Sequence, residues 1–258
     1  MSIHARFWCF LLSVCSCFCQ PAAAAQTPVR VAAASNLKFV LDELVRLYRV
    51  EHPEITIQMT YGASGKLATQ IQQGAPFDLF LSADKRHANE LWKRGLCIAA
   101  PQVFARGRLV LWSRNEDVSK LQLSDLRAPR FARIAIANPR HAPYGQVARQ
   151  AMKNSGVWNE LEGRLVFGEN VAQATQFVRS RNAQVGIIAL SLVIHPELAS
   201  EGGHALVPES LHQPLEQVWV VMKASTQSSI AEQFAHFLQA PSSQGLLQEF
   251  GFSVPVSN

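Results

Sequence analysis

The chain has 258 residues, 24 of them basic and 19 acidic, giving a formal charge of +5, and 48% of its residues are hydrophobic. This mild positive balance contains no long basic run, so nucleic-acid binding is not indicated, although it suits attraction of a small anion. The length allows one large or two modest domains with a proper core, and neither a fixed-period repeat nor a low-complexity linker interrupts it.

In chain order, residues 1–25 read as an export signal. Arg6 precedes the apolar run "FWCFLLSVCSCF", and "QPAAAA" follows with small residues where a signal peptidase cuts. The run is well short of the roughly 20 residues that span a bilayer, so no stable membrane insertion is expected, and the destination is the periplasm. Cys9, Cys15, Cys17 and Cys19 all lie in this segment. Only Cys97 is left afterwards, which leaves no intrachain disulfide framework.

Short apolar runs then alternate with helical stretches: "VRVAAA" and "NLKFVLDELVRLYRVEH", "ITIQMTYG" and "GKLATQIQQG", "DLFLSA" and "KRHANELWKRG". Leu37, Val40, Leu41, Leu44, Val45 and Tyr48 share one face at helical spacing, and the pattern ends before Pro53. It resumes with "RLVLW", "RIAIAN", "GQVARQAMKNSG", "RLVFGEN", "VAQATQFVRSR" and "VGIIAL", and closes with "EQVWVVMK" and two helices, "SSIAEQFAHFLQ" and "SQGLLQEFG". Alternation of this kind predicts an α/β protein with mainly parallel sheets flanked by helices. Two extended stretches break it, "FARGRLVLW" and "HQPLEQVWVV". Read as crossing strands, they divide the chain into two lobes: one from residues 26–106 and 217–258, the other from residues 107–216.

Ligands of open α/β sheets sit where strands turn into helices. Those turns here are "AAASN" at Ser35 and Asn36, "YGASG" at Ser64, "NPRHAPYG" around Tyr144, and "GENVA" at Asn170 and Val171. They hold hydroxyls, amides and small residues with almost no charge. Each serine or asparagine alone is an ordinary helix cap, and Tyr144 could simply pack. Together, converging helix starts would favour an anion. "TYGASGKLAT" is not a phosphate-binding P-loop, because Thr60 and Leu67 stand where that motif needs glycine and a hydroxyl.

"VAAASN", "GASGKLATQIQQGAPFDLFLSAD", "FARGRLVLW", "APYGQVARQAM" and "GENVAQATQFVRSRNAQVGI" together resemble the periplasmic molybdate-binding proteins of ABC transporters, along essentially the whole chain after the signal. The resemblance implies a two-lobed periplasmic binding protein of type II, with two crossing strands as its hinge. It implies an oxyanion, molybdate or tungstate, held by Ser35, Asn36 and Ser64 from one lobe and by Tyr144 and the Val171 amide from the other. No cofactor and no direct metal ligand are implied. The partners would be the permease and ATPase subunits of an importer, and the receptor itself a monomer. Some family members carry a tyrosine in the strand that here reads "VGIIALS", where this chain has Ala189; Tyr144 is then the substitute. Lys66 is expected to face solvent, and Asp78, Asp84 and Glu169 to stay out of contact with the anion.

Beside this reading stand a sensing domain on the same two-lobed fold, against which the export signal and the lack of a DNA-binding or signalling segment count, and two further alternatives. One is a receptor for another tetrahedral oxyanion such as sulfate, thiosulfate or phosphate. The other is an exported enzyme using Cys97 and a histidine such as His141, against which "LCIA" reads as a buried apolar stretch and no H-x-H, H-E-x-x-H or C-x-x-C occurs.

Overall fold

The computed structural model describes residues 27–114 and 117–254. The expected export segment, residues 1–25, lies outside them. The first unit runs β1 (Val29–Ala34), α1 (Lys38–Glu51), β2 (Ile57–Gly62), α2 (Ser64–Gln72), β3 (Leu79–Ser82), α3 (Lys85–Lys93) and β4 (Gln102–Gly107). The second runs β5 (Leu109–Ser113), β6 (Ile134–Ala137), α4 (Pro143–Asn154), α5 (Trp158–Leu161), β7 (Leu165–Gly168), α6 (Val171–Arg179), β8 (Val185–Ala189), α7 (Leu190–Val193), α8 (Pro196–Ala199) and β9 (Gly203–Leu206). The chain then returns through β10 (Leu215–Val221), α9 (Ser228–Phe237) and α10 (Pro241–Glu249).

Two five-stranded sheets result, in the orders β2-β1-β3-β10-β4 and β7-β6-β8-β5-β9. In the first, β2, β1 and β3 are parallel while β10 runs antiparallel to β3 and β4. In the second, β7, β6 and β8 are parallel and β5 is antiparallel to β8 and β9. Parallel strands covered on both faces need near-continuous apolar sequence, which is why β1, β3, β6 and β8 read as "VRVAAA", "LFLS", "IAIA" and "VGIIA".

Neighbouring residues of a strand face opposite sides. Ala32, Phe80, Val218 and Val220 accordingly pack with Leu67, Ala68 and Ile71 of α2 and Ala88 and Leu91 of α3, while Val31, Leu79, Leu81 and Trp219 join the larger core on the other face. α1 presents Val40, Leu41, Leu44 and Tyr48 to that larger core, and Val45 is only half-buried at its margin.

The stretch "FARGRLVLW" is two strands, one in each sheet, divided at Arg108, which belongs to neither. "HQPLEQVWVV" becomes a strand only from Leu215, so the return path between the sheets is the segment 207–214, which holds a 3₁₀ turn at Glu209–Leu211. Near the first of these passages Ser253 bridges Arg106, bringing the C-terminal segment alongside. Periodicity gave no sign of β9, whose "GHAL" lacks β-branched residues, or of α5, α7 and α8, each a single turn too short to show a period.

Phe234 of α9 is fully buried, with its ring 5.1 Å from Tyr48 in an edge-on contact. Phe234→Ala is expected to destabilise the protein by about 3–5 kcal/mol, measured by urea unfolding.

Candidate functional site

The carboxyl ends of β1, β2 and β3 in one sheet face those of β6 and β7 in the other across a small cavity. Its walls are Ala34, Ser35, Asn36, Gly62, Ala63, Ser64, Ala83, Ala142, Pro143, Tyr144 and Val171, and they leave a free volume of only about 10 Å³. Ser35, Asn36, Ser64, Tyr144 and Val171, the five residues singled out from the sequence, are therefore brought together. No wall residue is charged. Ser64, Pro143 and Val171 are the first residues of α2, α4 and α6, so three helix starts meet there. Each brings a partial positive charge of about half an elementary unit. Pro143 has no amide hydrogen, and Tyr144 beside it is a buried part of the cavity wall.

The serines do not act as helix caps. Ser35 lies in a 3₁₀ turn and Ser64 is already inside α2, and neither helix start has a side-chain cap. Instead the Ser64 hydroxyl accepts the Ala83 amide at 3.0 Å and the Ser35 hydroxyl accepts the Ala172 amide of the facing lobe at 3.4 Å. A hydroxyl has one hydrogen and two lone pairs. With a lone pair taken by a backbone amide, each serine keeps its hydrogen to donate. Asn170, by contrast, is a true cap, accepting the Gln173 amide at 3.0 Å.

Asn36 is buried, and its Nδ2 donates to Gln217 Oε1 at 2.9 Å. Its Oδ1 and the Tyr144 hydroxyl are both buried without a hydrogen-bond partner in good geometry. Burial holds the Tyr144 phenol well above its ordinary pKa, with a smaller opposing pull from the Asn36 side chain, so it remains a neutral donor at any physiological pH.

Several contacts join the lobes around the cavity. The Gly65 amide donates to the His141 carbonyl at 2.9 Å, and the Ser191 hydroxyl to the Asn36 carbonyl at 2.8 Å. Lys66 pairs with Glu169 at 2.8 Å, both about half exposed, and the hydrogen bond from Lys66 is the main cause of a lowered Glu169 pKa. Lys66 thus lies on the surface rim. Glu169 is held there too, with His141 Nε2 2.8 Å from its backbone carbonyl.

The other carboxylates lie outside the cavity. Asp78 accepts from the Arg30 amide and the Ser225 hydroxyl. Asp84 caps α3; burial alone would raise its pKa, but its bonds to His87 lower it on balance. Ala189 ends β8, fully buried, and is not one of the wall residues.

Residues 29–253 match the model of the bacterial extracellular solute-binding protein family. The chain belongs to this family. Among similar solute-binding proteins, the molybdate-binding protein ModA of Rhodobacter capsulatus is 35% identical over 238 residues, covering 90% of each chain. The periplasmic molybdate-binding protein of Azotobacter vinelandii superposes with a TM-score of 0.83 at 28% identity, over 88% of this chain and 99% of that one. The sulfate-binding protein SubI of Mycobacterium tuberculosis H37Rv shares the fold, with a TM-score of 0.75 at 16% identity over 88% of this chain and 86% of its own. One architecture thus serves more than one anion, and the ligand must be argued from the walls of the cavity.

Sequence reasoning passed over Ala34, Ala63, Ala83 and Ala142, which matter by being small, and Gly107. A Cβ at Gly107 would collide with the Tyr144 hydroxyl and approach Gln217 Nε2 to 3.2 Å. The solute-binding protein variant Gly107→Ala is therefore expected to displace the Tyr144 ring and lose about 1–3 kcal/mol of stability, read from chemical unfolding monitored by fluorescence.

Proposed function

We propose that this solute-binding protein is the extracytoplasmic receptor for molybdate, and for tungstate, which it holds between its lobes and presents to the permease and ATPase subunits of an ABC importer. It acts as a monomer in the periplasm. The observation that carries the reading is the uncharged cavity, in which both serine hydroxyls are already committed as acceptors and keep their hydrogens for a guest. The similarity to proteins named for molybdate binding supports it. No described helix is long and apolar enough to cross a membrane.

A tetrahedral dianion that is fully deprotonated carries only acceptors. Hydroxyl and amide donors from Ser35, Asn36, Ser64, Tyr144 and the Val171 backbone satisfy it without any carboxylate in the site. Hydrogen phosphate brings a donor, and a buried donor without a partner costs on the order of 1–3 kcal/mol. Sulfate matches molybdate in charge but is smaller, so its rejection rests on donors set too far apart to close on it. Tungstate passes both filters. Closure of two lobes around a ligand is established behaviour for periplasmic binding proteins, and the closed form is what the permease reads.

Catalysis has no support here. Cys97, the best candidate nucleophile, packs with Met222, Leu91 and Val220, and burial pushes its thiol up to about 11. A thiol with that pKa is almost wholly protonated at neutral pH.

In thermal-shift measurements at equal concentration, molybdate and tungstate are expected to raise the melting temperature, sulfate and phosphate far less. Equal stabilisation by sulfate would overturn the choice of ligand. Gly65→Ala tests closure: its methyl would lie 2.7 Å from the His141 carbonyl oxygen and 2.8 Å from His87 Nε2, holding the lobes apart. Titration calorimetry should then show molybdate affinity reduced by about tenfold or more, a factor corresponding to about 1.4 kcal/mol.

A further inference from the structure

Gln217 is completely buried in the middle of β10, a strand otherwise composed of apolar residues apart from the half-buried Glu216. A polar side chain there is tolerated only if its hydrogen bonds are made. Both ends of the amide are engaged: Nε2 donates to the Leu215 carbonyl at 2.9 Å, and Oε1 accepts from Asn36 Nδ2 at 2.9 Å. The polarity of this chain is set by its far end. A backbone carbonyl can only accept, so Nε2 must face Leu215, Oε1 must face Asn36, and Asn36 must present its NH₂ group to Gln217. The register of β10 against β4 also shifts between Gln217 and Val218. An irregularity of this kind re-aims a side chain.

From this geometry we infer that Gln217 is a positioning residue for the anion site, acting through Asn36 without touching the ligand; the inference rests on the receptor reading above. The clamp prevents the Asn36 amide from rotating end for end. One Nδ2 hydrogen goes to Gln217, and in this proposal the second serves the anion. The same clamp keeps Gln217 Nε2 beside Gly107, where the Tyr144 hydroxyl also packs. A single buried amide therefore fixes which end of Asn36 faces Gln217. Without it, Asn36 can turn its carbonyl oxygen toward an anion, and a like-charged end replaces a donor.

The test is a double-mutant cycle on molybdate affinity by calorimetry, using Gln217→Met, which keeps length and removes both hydrogen bonds, with Gln217→Leu as a second variant should Met not fold. Gln217→Met is expected to weaken binding about tenfold in the natural background and to have little further effect in an Asn36→Ala background. Melting curves without ligand verify folding. Unchanged affinity, or an equal loss in both backgrounds, overturns the inference. A second measurement needs no ligand: in ¹⁵N-labelled protein the Asn36 side-chain amide, assigned by its loss in Asn36→Ala, should exchange with solvent slowly, and faster in Gln217→Met. Rapid exchange in the unmodified protein overturns the clamp. Failure of the unmodified protein to bind molybdate counts against the receptor reading instead, and the exchange data then decide the clamp by themselves.

Discussion

Holding a dianion without an ionic partner is the constraint from which the rest of this molecule follows. A helix start offers only about half a unit of positive charge, so several must converge, and no single sheet edge brings enough of them to one point. The starts of α2 on one side and of α4 and α6 on the other meet because two sheets turn the carboxyl ends of their parallel strands toward each other. Close approach demands small residues at the ends of those strands, and Ala34, Gly62, Ala63, Ala83 and Ala142 supply them.

The same constraint shapes closure. Around the cavity the lobes are joined by neutral hydrogen bonds, Gly65 to His141, Ala172 to Ser35 and Ser191 to Asn36, and by the exposed ion pair of Lys66 with Glu169; farther out the Phe39 ring stacks on His195 at 4.0 Å. Each hydrogen bond contributes about 0.5–1.5 kcal/mol net, and an exposed pair typically less than about 1 kcal/mol. Ser35 and Asn36 belong to the cavity wall and to the seal between the lobes at once.

The passages between the lobes are tied to the site as well. Gly107 ends β4 beside Arg108, where the chain leaves the first sheet, and the Tyr144 hydroxyl packs against it. Gln217 lies two residues into β10, just after the chain returns, and bonds to Asn36. Any rotation about these passages must move the groups against which Tyr144 and Asn36 are set. Structurally, the hinge and the site are adjacent layers of the same packing.

The sequence by itself determined the alternation of strands and helices, because hydrophobic period is local: "VRVAAA", "DLFLSA" and the Leu37-to-Tyr48 face need no partner to be recognised. It also marked the turns at Ser35, Ser64, Tyr144 and Asn170, since a small, polar turn after an apolar strand shows in one dimension, and the family resemblance narrowed them to Ser35, Asn36, Ser64, Tyr144 and Val171. What those hydroxyls do was decided only in three dimensions. Ser35 and Ser64 look like caps in the sequence, yet their acceptor lone pairs are taken by Ala172 and Ala83, residues 137 and 19 positions away. Gln217 read as one more residue of a strand until its bond across 181 positions to Asn36 appeared. Periodicity reports which face of an element is buried, whereas the direction of a hydrogen bond depends on which distant atom folding places opposite it, and only the tertiary structure carries that information.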